Sequence, residues 1–260
     1  MKAAQQGYPP AQTDLADCYY NGEGCRADVY EAVSWYRKAA EQGHAPAQHA
    51  LANCWYRGEC ASFTPRKSCS DEELEADFSL TSAVILYRSA AKLGYPPSQC
   101  RLADMYMSGE GVTKDSVQGL ALYRQAAEHG HLEAAVKLGN ALRLEGNADS
   151  TALALEWYRR AATQSYGAAE VALGDCYLRG EGVLADASTA LQWFLKAADK
   201  GEVAAFCRLG DCADTAAELH TSAPSASAAT WYRKAAELGS AEGQHALVSL
   251  NVAHITHDWE

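Results

Sequence analysis

The sequence lacks the features that would direct it to nucleic acid or into a membrane. It has no basic excess, since Lys and Arg number 22 against 33 Asp and Glu, and the formal net charge is -11. Binding to phosphates or to anionic lipids needs clustered positive charge. No apolar run approaches the roughly 18 residues that span a bilayer, and the first residues, MKAAQQGYPP, hold no apolar segment of a signal peptide. We therefore expect no nucleic-acid partner and no direct membrane insertion.

The motifs of common enzymes and metal sites are also missing. The chain has no Gly-x-Ser-x-Gly, no His-Glu-x-x-His and no phosphate-binding loop. His129 and His131 could supply two metal ligands, but a zinc site needs more, and both positions suit polar residues at the C-terminal end of a helix. The sequence thus predicts no catalytic residues, no metal and no cofactor.

What the sequence does contain is a repeat. An Ala-Ala pair recurs with spacings of 36, 51, 36, 35, 36 and 38 residues, and the first members of the pairs are Ala3, Ala39, Ala90, Ala126, Ala161, Ala197 and Ala235. The long spacing is explained by an insertion at residues 59–81, within the second unit. We predict a single array over residues 1–260, with units beginning near 3, 39, 90, 126, 161, 197 and 235.

Each unit is expected to contain two helices. The first has apolar residues at helical spacing and stops at a glycine turn such as Gly22–Gly24, where glycine can take the left-handed conformation. The second begins at a capping residue such as Asp28, carries an aromatic pair such as Trp35–Tyr36, and ends at the Ala-Ala pair. A lone hairpin cannot bury both faces, so units must stack. This predicts an all-α, right-handed α/α superhelix (solenoid) of about six helix-turn-helix repeats plus a terminal helix, with about thirteen helices.

One stretch, residues 170–202, carries the fullest form of the unit, with the shared positions Leu173, Gly174, Tyr177, Gly180, Gly182, Val183, Asp186, Ala190, Trp193, Ala197, Ala198 and Gly201. This pattern resembles the Sel1-like repeat, a longer variant of the tetratricopeptide class, and the resemblance covers nearly the whole chain. Because known members are mostly adaptors, it implies a non-catalytic scaffold that binds a protein or peptide partner. Two alternatives stay open: a structural subunit held permanently in a larger complex and, less favoured, an enzyme.

The cysteines bear on the enzyme alternative, because secreted relatives with one disulfide per repeat bind β-lactams. Those relatives have cysteine at the second position of the Ala-Ala pair, where this chain has alanine throughout. Four of its nine cysteines instead share one column of the first helices, one or more repeats apart: Cys18, Cys54, Cys176 and Cys212. We expect these thiols to be buried and reduced, which favours a cytoplasmic, reducing compartment.

The two ends of the sequence are expected to be open. Lys2 aligns with the last residue before the Ala-Ala pair in other units, so the sequence begins at the end of a second helix, and it finishes on a first-type helix. Further repeats or subunits could adjoin either end, and a targeting signal could precede the first residue.

Six polar residues form a candidate binding surface on the first helices. They lie about 200° around the helix from an apolar column that includes Leu15, and we call them the ladder: Asp17, Asn53, Asp104, Asn140, Asp175 and Asp211. Bordering them are Tyr20, Tyr56, Met107, Arg143 and His49. First helices line the concave side of stacked hairpins, so we expect a partner segment to bind there. Because the ladder should face solvent, alanine at Asn53, Asp104 and Asn140 is expected to weaken binding and leave the melting temperature nearly unchanged.

The insertion at 59–81 contains two candidate regulatory residues. Thr64 precedes Pro65, as a proline-directed kinase prefers, and Ser70 precedes an acidic run, as an acidophilic kinase prefers. Ser70 and Glu73 also form a capping box, which predicts a short acidic helix over Asp71–Phe78. The alternative is a solvated loop in which both motif matches are accidental.

Overall fold

Helices make up all the regular structure in the part of the chain that the computed structural model describes. That part is residues 1–59, 72–218 and 227–257, with side chains described at 1–59, 80–213 and 227–250, and it contains no strand. An all-α chain was predicted, and this is confirmed. The helices are α1 (Lys2–Gln5), α2 (Pro9–Asn21), α3 (Val29–Glu41), α4 (Ala45–Tyr56), α5 (Glu72–Lys92), α6 (Pro96–Ser108), α7 (Ser116–Glu128), α8 (Leu132–Leu144), α9 (Ala148–Thr163), α10 (Gly167–Arg179), α11 (Ala187–Ala198), α12 (Val203–Glu218), α13 (Ala228–Glu237) and α14 (Ala241–His257).

The residues predicted to begin and end the helices do so. Gly22 ends α2 in the left-handed conformation, with φ of 75°, and the Asp28 carboxylate caps α3 by accepting hydrogen bonds from the amides of Tyr30 and Glu31 at 3.0 and 3.1 Å. The turn before α9 departs from the common sequence, yet it keeps a cap, because the Asn147 side chain accepts from the Ser150 amide at 2.8 Å. Local signals therefore set the start and the end of the hairpins.

The helices are grouped in two compact units, Met1–Ala134 and Ala135–Glu260. Within each unit, alanines let the helices approach, and the aromatic residue three positions before the Ala-Ala pair fills the core. Tyr36 and Tyr87 are 4% and 0% exposed in the first unit, and Tyr158 and Phe194 are both 0% exposed in the second. These aromatic rings therefore form part of the core of each unit.

The segment predicted as a short separate helix belongs to a longer one. Residues 72–78 are the beginning of α5, which runs without a break to Lys92 and so includes the second helix of the unit. The prediction of helix was right and the prediction of a separate element was wrong, because no glycine or proline lies between Glu72 and Lys92 to interrupt the helix. Thr64 and Ser70 lie outside the described residues.

A buried polar column ties the first helices to the Ala-Ala pairs that precede them. In the first unit the Nε2 amides of three buried glutamines donate to alanine carbonyls eight residues earlier, with distances of 3.2, 3.2 and 3.3 Å at Gln12, Gln48 and Gln99. In the second unit, one of the residues at this repeat position is Glu170, whose side chain is fully buried. Its Oε1 lies 3.0 Å from Lys196 Nζ and 2.6 Å from Lys200 Nζ, and its Oε2 has no hydrogen-bond partner. Two lysines thus replace the amide-to-carbonyl bond.

Ser165 holds a strained backbone, which leads to a first prediction. Its φ is 62°, the one positive value among the described non-glycine residues, whereas Gly43 and Gly94 occupy the same position in other units. The left-handed conformation costs a residue with a Cβ about 1–2 kcal/mol, and glycine's greater freedom when unfolded offsets part of the gain. We expect Ser165→Gly to raise the free energy of unfolding by about 0.5–1 kcal/mol, measured by urea titration. Ser165→Ala keeps the Cβ and should bring no gain; equal gains would trace the effect to the hydroxyl.

Candidate functional site

Five of the six ladder residues accept a hydrogen bond from a tyrosine of the second helix. The hydroxyl-to-oxygen pairs are Tyr36–Asp17 at 2.5 Å, Tyr87–Asn53 at 2.6 Å, Tyr123–Asp104 at 2.5 Å, Tyr158–Asn140 at 2.7 Å and Tyr232–Asp211 at 2.8 Å. Burial raises the pKa of Tyr36, Tyr123 and Tyr158 above the ordinary value, so these hydroxyls stay protonated donors. The ladder is therefore held in place by the core of its own repeat.

This arrangement corrects the expected stability of ladder variants. Alanine at Asn53, Asp104 or Asn140 would remove the acceptor of a tyrosine hydroxyl that is otherwise buried. Loss of a hydrogen bond that leaves a buried partner unsatisfied costs about 1–3 kcal/mol, so the melting temperature would fall. Helical periodicity placed these residues away from the leucine column but did not show that a neighbouring hydroxyl reaches them.

At Asp17, Asn53 and Asn140 the tyrosine binds one oxygen and leaves the other polar group of the side chain for other use. At Asp104 and Asp211 the second oxygen lies near an arginine, at 3.5 Å from Arg101 and 3.0 Å from Arg208. At Asn53 and Asn140 the Oδ1 atom is the acceptor, and no hydrogen bond within the described residues uses Nδ2. At Asp17 the hydroxyl binds Oδ1, and the side chain is exposed. Asn53 and Asn140 thus present donors and Asp17 presents an acceptor, each on a side chain whose rotation is restricted by its tyrosine.

Asp175 is the exception, because the residue opposite it is Phe194, which has no hydroxyl. The carboxylate is half-buried, and its desolvation raises the pKa of Asp175. Arg208 takes the place of the tyrosine: its Nε lies 3.2 Å from Asp175 Oδ1, although the angle does not make a hydrogen bond. The same guanidinium lies 3.0 Å from Asp211 Oδ2 and 3.5 Å from Glu242 Oε1. One arginine therefore joins α10, α12 and α14.

Three of the bordering residues connect neighbouring repeats. Tyr20 donates to Glu59 at 3.1 Å, Tyr56 donates to Glu110 at 3.0 Å, and Arg143 pairs with Glu181 at 2.8 Å. In each case the acceptor is the glutamate that follows the first glycine of the next turn. Helical periodicity placed these side chains at the border of the ladder but did not predict this structural role.

Met107 and His49 are also engaged within the first unit. Met107 packs beside Gly119, where an added Cβ would lie 2.8 Å from its Sδ. The His49 Nδ1 is 2.9 Å from Ser98 Oγ, and its ring is 5.6 and 5.4 Å from the rings of Tyr87 and Tyr95. Burial, followed by the charges of Arg101 and His131, lowers the pKa of His49 to about 4. The imidazole is therefore neutral at physiological pH.

The lowered pKa of His49 predicts acid sensitivity. The ordinary pKa of histidine is 6.5, so as the pH falls the unfolded state binds the proton before the folded state does. The contribution of His49 to the free energy of unfolding is therefore full above pH 6.5 and is lost toward pH 4. We expect the free energy of unfolding to fall by about 2 kcal/mol between about pH 6.5 and pH 5, measured by urea titration at each pH. His49→Gln should flatten the profile in this interval. An unchanged slope in that variant would assign the effect to other groups.

The cysteine column is only partly buried. Cys54 and Cys176 are buried as expected, but Cys18 and Cys212 are half-buried, and none of the seven described cysteines is in a disulfide. Burial raises the pKa of Cys176 to about 11 and also raises that of Cys212. The prediction of protected thiols therefore applies to Cys54 and Cys176. Cys18 and Cys212 are expected to react measurably with a thiol reagent, but more slowly than the exposed Cys25.

Neither a metal site nor a membrane span emerges from the described part of the chain. No group of three or more His, Cys, Asp or Glu side chains is arranged to hold a metal there. None of the described helices combines the length and the apolar composition needed to cross a bilayer. His131, assigned above to a helix C-terminus, instead precedes α8, where its Nδ1 accepts from the Ala134 amide at 3.2 Å.

Comparison with known proteins finds the same repeat along most of the chain. A family model described as Sel1 repeat matches residues 9–44, 73–95, 96–131, 132–166, 167–202 and 225–240. Chitin synthase regulatory factor 3 from Schizosaccharomyces pombe is 30% identical over 190 residues, which cover 70% of this chain and 19% of that protein. The chain thus spans only a small part of this curated relative.

Two solved structures share the architecture. The first is c5321, described as a protective antigen of uropathogenic Escherichia coli with an SLR fold; it is 33% identical with a TM-score of 0.70, over 95% of this chain and 50% of that one. The second, a Sel1 repeat protein from Oxalobacter formigenes, is 28% identical with a TM-score of 0.73, over 88% and 86% of the two chains. These likenesses confirm the predicted fold of repeated helical hairpins.

Proposed function

The chain belongs to the Sel1 repeat family, and from this membership we propose that it is a non-catalytic adaptor whose ladder binds an extended segment of a partner protein. Helical repeats of this kind commonly serve as protein-interaction scaffolds, and a relative is named as a regulatory factor of chitin synthase. Because one fold can carry many functions, the proposal depends on the chemistry of the ladder.

The observation that carries the proposal is the tyrosine bond to each of five ladder residues. A side chain held in one orientation before binding loses less conformational entropy when a ligand arrives, so its hydrogen bonds contribute more to affinity. The Nδ2 groups of Asn53 and Asn140 suit peptide carbonyl oxygens, and the carboxylate of Asp17 suits peptide N–H groups. Within the unit Met1–Ala134, the ladder thus offers both an acceptor, at Asp17, and a donor, at Asn53, to an extended backbone.

A binding test needs variants that keep the tyrosine bond. Asn53→Asp retains an oxygen for the Tyr87 hydroxyl but removes the Nδ2 donor, and Asn140→Asp does the same in the second unit. We would select peptides from a random display library on the immobilised full chain and measure their Kd by fluorescence polarisation. Loss of one hydrogen bond to the peptide should weaken binding about tenfold.

The matched control is Gln192→Glu, the same amide-to-carboxylate change at an exposed position of α11. It should leave the affinity unchanged. Selected peptides that bind both ladder variants as tightly as the natural chain would remove the ladder from the interface. Failure to select any peptide would contradict the adaptor proposal for extended segments.

A further inference from the structure

Two grooves open along second helices of the unit Met1–Ala134. The first, of about 470 Å³, lies between α3 and α5, and its floor includes Leu51 and Trp55 of α4. The second, of about 390 Å³, lies between α5 and α7, and its floor includes Leu102 and Tyr106 of α6. The floor residues occupy equivalent repeat positions, so the same packing creates both grooves. Their volumes fall in the range of ligand-binding clefts.

The grooves differ in charge at one repeat position. The residue after the Ala-Ala pair is Glu41 in the first groove and Lys92 in the second. The preceding basic position is shared, as Arg37 and Arg88. The first groove therefore carries one charge of each sign, whereas the described residues that line the second include two cations and no acid. The local charge of the second groove is therefore opposite in sign to the net charge of the chain, which is -11.

The two cations of the second groove are arranged for joint use. Arg88 and Lys92 are four residues apart on α5, so they lie one turn apart on the same side of the helix. The Nη2 atom of Arg88 donates to the Tyr106 hydroxyl at 2.9 Å, which holds the guanidinium beside the floor. Since a guanidinium has five N–H donors, this bond leaves capacity for a carboxylate ligand.

We infer that the second groove, independently of the ladder, binds an amphipathic helical segment that is acidic along one edge. An apolar side chain of the segment would rest on Leu102 and the alanines of the walls, and a glutamate or aspartate would pair with Arg88 and Lys92. The first groove, with Glu41, would repel the same carboxylate. Charge complementarity thus selects both the groove and the kind of partner.

The test uses a synthetic helical peptide with leucines on one face and glutamates beside them, labelled for fluorescence polarisation. A second peptide carries lysine in place of each glutamate. The full chain should bind the acidic peptide and should not bind the basic one at the same concentrations. Lys92→Glu makes the second groove like the first in charge and should weaken binding about tenfold.

The reciprocal variant is Glu41→Lys, which gives the first groove the charges of the second. It should add a second binding site of similar affinity, visible as doubled stoichiometry in calorimetry. Asn53→Asp should leave binding of the acidic peptide unchanged, which separates this site from the ladder. The inference is overturned if the acidic peptide does not bind, if Lys92→Glu has no effect, or if both peptides bind equally. Lys92 is exposed, so circular dichroism should show the same melting curve for the variant.

Discussion

Replacing Tyr158 with alanine is expected to lower the free energy of unfolding by about 4 kcal/mol. The ring is completely buried between α9 and α8, and it lies so close to Gly139 that a Cβ there would overlap it. Removing it would leave a cavity in the second unit and would also remove the hydroxyl that holds Asn140. Urea unfolding of the full chain, followed by far-ultraviolet circular dichroism, measures the loss.

Tyr158→Phe separates the ring from the hydroxyl. It keeps the packing and removes the interactions of the hydroxyl with Asn140 and Arg143, so the expected loss is about 1 kcal/mol. The chain already accepts phenylalanine at this position in the next repeat, where Phe194 is buried to the same degree. If Tyr158→Phe cost as much as Tyr158→Ala, the stability would come from the hydrogen bond and the packing argument would be wrong.

The hairpins were predictable because their signals are local. Asp28 needs only the amides of the next turn to act as a cap, and Gly22 ends its helix through its own backbone freedom. The Ala-Ala spacing then repeats these signals along the chain, which makes the unit visible without knowledge of packing. The start of α5 was misjudged as a separate element, since a capping box marks where a helix begins and contains nothing about where it ends.

The ladder was located by periodicity but its chemistry was not. A helical pattern shows which residues share a face, whereas the partner of Asn53 comes from another helix, on Tyr87. The repeat that lacks the tyrosine, at Phe194, is the one in which the ladder residue Asp175 lies beside an arginine, Arg208, of the following repeat. The sequence does not reveal this substitution, because Arg101 stands at the equivalent position although the repeat before it keeps its tyrosine, Tyr87.

The buried carboxylate of Glu170 leads to the second large expected effect. Its side chain is fully buried, and Lys196 and Lys200 supply the positive charges within 3.0 and 2.6 Å of Oε1. Lysine-to-methionine changes at both positions would leave a buried carboxylate without either ion-pair partner. We expect Lys196→Met with Lys200→Met to lower the free energy of unfolding by about 3–5 kcal/mol, measured by urea titration at neutral pH.

Glutamine at position 170 provides the rescue that identifies the cause. Gln12, Gln48 and Gln99 occupy this column in the first unit and donate to alanine carbonyls, so Glu170→Gln can make the same bond to Ala162 without a charge to compensate. Added to the two methionine changes, it should restore stability to within about 1 kcal/mol of the natural chain, because the buried residue at position 170 then carries no charge that needs a partner. A loss that persists in the triple variant would instead come from the lysine side chains themselves, through the contact of Lys196 with the Trp193 ring and of Lys200 with the Ser165 carbonyl.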